Sequence, residues 1–284
     1  NDVEFTAKLA SYARSKMNLR SVALVLAVEL AKKSNGNSVV KNTVNNVVQR
    51  ADEITELLAY YELANKRSGT KRLNKLSKQI QKGLAASFNK FDEYQFAKYN
   101  RNTAIKLRDA LFLVHPKAKD ENQQAIFNKI TNDTLAIPYT WETELSALGQ
   151  NTFENDAAKK AAFKAKWEEL IDSGKLGYMA LLRNLRNILE ADVSFEHVEK
   201  VGNYLSNAKN VANSKQLPFR FLSAYREIKN VQSGYAALIL NAIEKAVLLS
   251  AQNIKGFDAE TKVVLACDVS GSMQKSISSK SKIM

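Results

Sequence analysis

The chain has 284 residues, 45% of them hydrophobic and 25% charged, with a formal net charge of +13. The apolar share is too high for an intrinsically disordered chain, and the length suits one large domain or two ordinary ones. One cysteine, Cys267, excludes an internal disulfide and fits a reducing compartment, while the lack of any eighteen-residue apolar run or charged-then-apolar leader argues against a membrane partner and for a cytoplasmic protein. A start at Asn1 and an end inside a motif suggest a piece trimmed at both ends.

Only 3 Pro and 10 Gly, with abundant Ala, Leu and Lys, predict a mostly helical chain. Asn1 with Glu4 three residues on is a capping-box pattern, and Phe5, Leu9, Tyr12 and Ala13 follow at helical spacing. Asn18 opens a second helix with Leu19, Val22, Ala23, Leu26 and Leu30 on one face, stopped by Ser34-Asn35-Gly36-Asn37. A third helix is predicted over 38–50, and a fourth over 52–65 turns Ile54, Leu57, Leu58 and Tyr61 inward. Beyond Ser68-Gly69 a basic amphipathic helix is predicted over 71–90, striped by Leu73, Leu76, Ile80 and Leu84. Further helices are predicted over 102–114, 120–132, 139–149, 154–172, 177–190, 194–208, 217–230 and 234–254, separated by Pro116, Pro138, Gly149, Gly174, Asn213-Ser214 and Ser233-Gly234. Such a procession suits stacked helix pairs: an all-α, HEAT-like α-solenoid, although no fixed sequence period runs through it.

Residues 262–267 then form a β-branched apolar run, which predicts one buried strand with Cys267 as a small filler. The run ends in Asp268, Ser270 and Ser272, one carboxylate and two hydroxyls at alternate positions that could converge on a hard cation such as Mg²⁺.

The positive charge is concentrated. Residues 66–119 carry 14 Lys or Arg against three acids, Asp92, Glu93 and Asp109, whereas the rest of the chain is nearly balanced. One basic block predicts a polyanion-binding surface, with phosphates neutralised by lysine and arginine. Its candidates are Lys98, Arg101, Arg108, Lys117 and Lys119, joined by Tyr99 and His115 for stacking or hydrogen bonds to bases and 2′-hydroxyls. The competing reading makes the lysines a solvated helix face, Tyr99 a core residue and His115 structural. Arg183 and Arg186 share one helix face at i,i+3, as a buried structural pair or the lining of a polar cavity, and Arg220 stands next to Pro218 and Phe219 without a structural explanation. An enzyme finds little support. The two histidines, His115 and His197, are far apart, and no GxSxG, HExxH, phosphate-binding glycine loop or CxxC pair is present. His197, beside Glu196 and Glu199, reads as a surface residue.

Four segments in order resemble one family: Arg108-Asp109-Ala110-Leu111-Phe112-Leu113-Val114-His115-Pro116-Lys117, Tyr178-Met179-Ala180-Leu181-Leu182-Arg183-Asn184-Leu185, Lys215-Gln216-Leu217-Pro218-Phe219-Arg220-Phe221-Leu222, and Asp268-Val269-Ser270-Gly271-Ser272-Met273. Together they are similar to the Ro autoantigen family, in which a ring of HEAT-like repeats (the TROVE module) precedes a von Willebrand factor A domain. The resemblance implies a TROVE-like domain over 1–256 and the start of an A domain over 262–284. It implies a non-catalytic protein that binds small Y-type noncoding RNA on a basic outer surface and single-stranded 3′ ends in a central cavity. An exoribonuclease or another protein would be a further partner. Lys98, Arg101 or Asn102, and His115 fall at the family's RNA-contact positions. Asp268, Ser270 and Ser272 would be part of a metal site that an intact A domain fills with a divalent cation; the residues that complete it are missing from this chain, so this piece is expected to hold none. The alternative is a protein-interaction scaffold with an adhesion-type A domain.

Overall fold

The computed structural model of the chain describes residues 2–66, 76–100, 103–253, 256, 260–264 and 266–271. Among them are fifteen α-helices and no strand, so the all-α reading stands. The helices gather into two compact units, residues 1–139 and 140–284.

The first unit contains α1 (Val3–Ser15), α2 (Arg20–Lys33), α3 (Val39–Val47), α4 (Asp52–Ala64), α5 (Lys78–Phe88), α6 (Glu93–Tyr99), α7 (Leu107–Val114) and α8 (Glu121–Asn132). Helix α1 starts where the Asp2 carboxylate accepts the Phe5 N–H at 3.0 Å. Ala7, Ala10 and Ala13 form its buried face, and their small side chains let α1 lie close on α2 and α3. The stripe of Phe5, Leu9 and Tyr12 points the other way, into solvent. In α4, Ile54, Leu57, Leu58 and Tyr61 are buried as their spacing predicts.

A buried carboxylate locks the turn between α3 and α4. Glu53 is fully buried, and its Oε1 accepts from the Arg14 guanidinium at 2.8 Å. Its Oε2 accepts the backbone N–H groups of Gln49 at 2.7 Å and Arg50 at 3.0 Å. Arg14 also donates to the Val47 carbonyl at 3.1 Å, and Lys90 donates to the carbonyls of Val48 (2.9 Å) and Asn45. Burial pushes the Lys90 ammonium below its usual pKa, an effect opposed by Glu53.

Helix α5 packs on α3 through Gly83, where a Cβ would stand 2.6 Å from the Val44 Cβ and 2.8 Å from the Lys41 carbonyl oxygen. It begins at Lys78 rather than near 71: Leu76 and Ser77 are not helical, and the Ser77 N–H donates to the Tyr61 hydroxyl at 3.2 Å. Leu73, in the predicted stripe, lies outside the described residues. The short helix α6, missed by periodicity, is opened by a capping box in which Asp92 and Gln95 exchange hydrogen bonds. Phe96 of α6 stacks on Phe88 with ring centroids 5.8 Å apart, and Phe127 of α8 meets Phe88 edge-on at 5.8 Å. The buried Gln123 amide donates to the carbonyls of Phe88 and Phe91, both at 3.2 Å, satisfying the end of α5. This aromatic cluster fixes α6, and with it Lys98.

The second unit contains α9 (Trp141–Gly149), α10 (Asp156–Asp172), α11 (Tyr178–Glu190), α12 (Phe195–Leu205), α13 (Ala208–Ser214), α14 (Pro218–Ile228) and α15 (Ala236–Ser250), the last followed by a 3₁₀ turn. Helix α9 rests on α10 by stacking Trp141 on Trp167, ring centroids 6.4 Å apart. Tyr178 packs between Tyr204 and Phe221 and donates its hydroxyl to the Leu205 carbonyl at 2.6 Å, and burial raises its pKa strongly. Helix α13 was not predicted; Asn207 caps it by accepting the Asn210 N–H at 3.1 Å.

Two expectations are corrected in this unit. His197 is not a surface residue: its side chain is 13% exposed, with Nδ1 at 2.6 Å from the Ser194 hydroxyl and Nε2 at 3.2 Å from Asp172, which tethers α12 to α10. The predicted strand is not formed: residues 261–264 and 266–269 take no regular structure, Val264 and Val269 are 90% and 87% exposed, and Cys267 is exposed rather than a buried filler. A lone strand has no neighbour to pair its backbone groups, so an apolar sequence is not enough to bury it.

Candidate nucleic-acid interface

Lys98 lies in the last turn of α6, exposed, with its ammonium 5.6 Å from the centre of the Tyr94 ring and 5.8 Å from that of Tyr99. Tyr99 is not a free stacking platform. It is half-buried against the core, and the Arg50 guanidinium covers its ring at 4.5 Å. Arg50 is itself fixed by a two-point bond to Asp52, at 3.1 and 2.7 Å. Tyr94 is the exposed aromatic on this helix, and the sequence reading passed over it although it sits one turn before Lys98.

The end of α6 and the face of α7 frame a cleft of about 410 Å³ lined by Asn100, Lys106, Arg108, Asp109, Phe112 and residues of α8 and its following turn. Arg108 lies 5.7 Å from the centre of the half-exposed Phe112 ring. The Asp109 carboxylate accepts the Lys106 N–H at 3.0 Å, and so spends one oxygen on starting α7.

His115 ends α7 with φ 46° and ψ 62°, in the left-handed region that ordinarily takes glycine, and its side chain is exposed. Among the described residues Asn18, Asn35, Lys66, Asp133, Asp192 and Lys215 also take a positive φ, so the backbone alone does not set His115 apart. The following loop is stapled by Asn89, whose amide donates to the Lys117 carbonyl at 2.9 Å and accepts the Lys119 N–H at 3.0 Å. The Lys119 ammonium turns back to the Asn89 carbonyl at 3.2 Å, whereas Lys117 is exposed. The Lys129–Glu93 bond, at 2.6 Å, braces α6 against α8 and holds the Glu93 carboxyl below its usual pKa range, helped by the Ala136 N–H.

Lys98, Arg108, His115, Lys117 and Lys119 therefore all belong to the first unit, on α6, α7 and the loop after it. Arg101 and Asn102 lie outside the described residues. Arg183, Arg186 and Arg220 belong to the second unit, and all three are exposed, which removes the buried-pair alternative. Arg186 is bonded to Glu190 at 2.8 Å, and the Arg220 guanidinium lies 5.1 Å from the centre of the exposed Phe219 ring. The buried polar residue of this segment is Asn184, which donates to the Ala180 carbonyl at 2.8 Å and accepts from the Asn187 amide at 3.0 Å.

At the carboxyl end, the Asp268 carboxylate accepts the Ser270 N–H at 2.8 Å, which lowers its pKa. Ser272 lies outside the described residues. Asp268 and Ser270 offer two side chains, where a hard divalent cation takes six or more oxygens. Among the described residues no cluster of three His, Cys, Asp or Glu could hold one, and no helix is long and apolar enough to cross a membrane.

The sequence profile of the TROVE domain matches residues 1–136 and again 134–237, dividing close to the boundary between the two compact units. The chain is 26% identical to the Telomerase protein component 1 of Mus musculus over 81% of its own length, and 25% identical to that of Rattus norvegicus over the same share. It spans 11% of the length of each of these relatives. The crystal structure of the Deinococcus radiodurans Ro (Rsr) protein superposes on 90% of this chain and 59% of its own, with a TM-score of 0.52 and 17% identity, a likeness of fold.

Proposed function

The chain belongs to the TROVE-domain family, and from that premise we propose that it is a non-catalytic RNA-binding module that holds noncoding RNA by its phosphates along α6, α7 and the loop 115–119. The observation that carries this reading is a close run of exposed cations on α6, α7 and the loop after it, within the segment that holds most of the net positive charge. Arg14, Arg20, Arg50, Lys129, Lys166 and Lys200 are all tied to carboxylates. Among the described residues Lys98, Lys106, Arg108 and Lys117 have no such partner, and all four are exposed. Unpaired ammonium and guanidinium groups release phosphate counterions on binding, whereas paired ones must first lose a carboxylate. Phe112 and Tyr94, each beside a cation, add faces on which an unpaired base can stack.

In this reading a small folded RNA of the Y type lies on the first unit, while Arg183 and Arg220 of the second take a single-stranded 3′ end and Arg186 joins them only by giving up Glu190. The protein works in the cytoplasm, and an exoribonuclease would meet the RNA rather than be replaced by the module. Residues 262–271 are the opening of an A-type domain whose remaining strands would cover the exposed valines.

Mobility-shift titration of a small structured RNA against the wild type and a Lys98→Ala/Arg108→Ala/His115→Ala variant tests the reading. The variant is expected to bind on the order of 10- to 100-fold more weakly. Equal affinity would remove the surface from the account. His115→Gly separates binding from folding: relief of the left-handed backbone should stabilise the first unit by about 0.5–1 kcal/mol in denaturant titrations while RNA affinity falls. A variant that is destabilised, or that binds as the wild type does, contradicts the role given to this side chain.

A further inference from the structure

We propose that the groove between α10 and the end of α11 is a nucleotide-binding site, with the phosphate held by lysines of α10 and the base edge read by the carboxylate of Asp192 on the facing wall. The groove measures about 780 Å³, within the range of about 300–1,000 Å³ typical of small-molecule sites. Asp156, Lys159, Lys160, Phe163, Lys164 and Trp167 of α10 line it. Their spacing of i, i+3, i+4, i+7, i+8 and i+11 makes them one continuous face of the helix. A lysine-rich stripe ordinarily faces open water, and this one lines a cavity instead. Phe163 and Lys164 are half-buried there, and Trp167 is buried. Among the described residues Lys159, Lys160 and Lys164 have no carboxylate partner. Lys166 of the same helix, which does not line the groove, is bonded to both Glu144 and Glu169. Asp156 leaves this wall with three lysines against one carboxylate.

The opposite wall is negative. It carries Glu190 and Asp192 at the carboxyl end of α11, where the last helix carbonyls add partial negative charge. Arg186 donates to the Glu190 Oε1 at 2.8 Å, whereas the exposed Asp192 carboxylate has no partner among the described residues. An ionised carboxylate only accepts hydrogen bonds, so this wall suits N–H and NH₂ donors and repels an anion. A ligand that fits both walls carries negative charge at one end and donors at the other, with a flat body to lie on Phe163 between them. A nucleotide has that order: phosphate, sugar, then a ring whose edge presents amino groups. A bare polyanion would meet the carboxylates, and an apolar peptide would leave the lysines unused. Guanine suits the wall best, because its ring N–H and its amino group stand side by side and one carboxylate accepts both. Uracil suits it least, since its single N–H lies between two carbonyls.

Calorimetry and tryptophan fluorescence with guanosine 5′-monophosphate (GMP) test the proposal. Trp141 and Trp167 are the chain's two tryptophans and stack on each other, so the fluorescence reports on this groove. GMP is expected to bind with a dissociation constant below about 1 mM, and at least about tenfold more tightly than guanosine, uridine 5′-monophosphate or inorganic phosphate. Lys160→Ala/Lys164→Ala should lower GMP affinity at least about tenfold with an unchanged melting temperature, alanine being a good helix former. Asp192→Asn keeps a residue that tolerates the local φ of 52°, and should erase the preference for guanine over uracil. A single strand of uridines ending in one guanosine distinguishes the source of the nucleotide. Tighter binding than GMP assigns the groove to a strand end, and equal or weaker binding assigns it to a free nucleotide. Four results would overturn the proposal: no binding of GMP below about 1 mM, inorganic phosphate or hexaglutamate bound as tightly as GMP, full affinity in the lysine variant, or binding that leaves the fluorescence unchanged. The groove is independent of the α6–α7 surface. The Lys98→Ala/Arg108→Ala/His115→Ala variant is expected to bind GMP as the wild type does, so either reading can fail alone.

Discussion

Glu53→Ala is expected to cost the first unit about 3–5 kcal/mol, the range found when one partner of a buried ion pair is removed. The substitution strands the Arg14 guanidinium and leaves the N–H groups of Gln49 and Arg50 without the carboxylate oxygen they share. Urea unfolding of the wild type and variant measures the difference. An Arg14→Leu/Glu53→Leu double variant should recover only part of it, because two leucines remove the stranded charge but not the two unsatisfied amides. A cost under about 1 kcal/mol for the single variant would mean that the carboxylate does not hold the turn. The consequence reaches the RNA surface, since Arg50 covers Tyr99 beside Lys98. A loosened turn is therefore expected to weaken RNA binding even where the variant remains folded.

Gly83→Ala is the second large effect. The new methyl group would meet the Val44 Cβ at 2.6 Å and the Lys41 carbonyl at 2.8 Å, and neither can rotate away without moving α3 from α5. The expected destabilisation is about 1–3 kcal/mol, more for valine. Gly202→Ala supplies the contrast: its nearest neighbour, at 2.8 Å, is the tip of the Leu238 side chain, which can turn aside. That change is expected to cost less than about 1 kcal/mol. Thermal melts that rank the two glycines in the opposite order would contradict the packing described for α3 and α5.

Much of this architecture was legible in the sequence, and the failures share physical causes. Periodicity identified α4 and its buried side because four large apolar residues fall on one face. On α1 the same signal marked an apolar face without saying which face is covered: helix contact goes to the alanines, whose small volume allows close approach, and the larger Phe5, Leu9 and Tyr12 are left outside. Helices α6 and α13 have seven residues each, too few turns for a period, although the Asp92–Gln95 and Asn207–Asn210 caps were present in the sequence. The basic block was legible from charge alone. The roles of Tyr94 and Tyr99 within it were not, because burial of Tyr99 depends on Arg50, a residue far away in sequence. The same holds for His197, whose partner Asp172 arrives on a different helix. Cys267 and its neighbours show the converse, an apolar run that stays exposed because apolar sequence alone does not bury a segment.

The central claim is that phosphate neutralisation by α6, α7 and the loop 115–119 drives RNA binding, and its most direct test is the salt dependence of affinity. Association constants for a small structured RNA, measured between about 50 and 200 mM monovalent salt, should fall on a log–log line with a slope of about −3 to −5, for some four to six phosphates neutralised. The Lys98→Ala/Arg108→Ala/His115→Ala variant should flatten that slope by about 2. A wild-type slope near zero, or the same slope in both proteins, would contradict the claim.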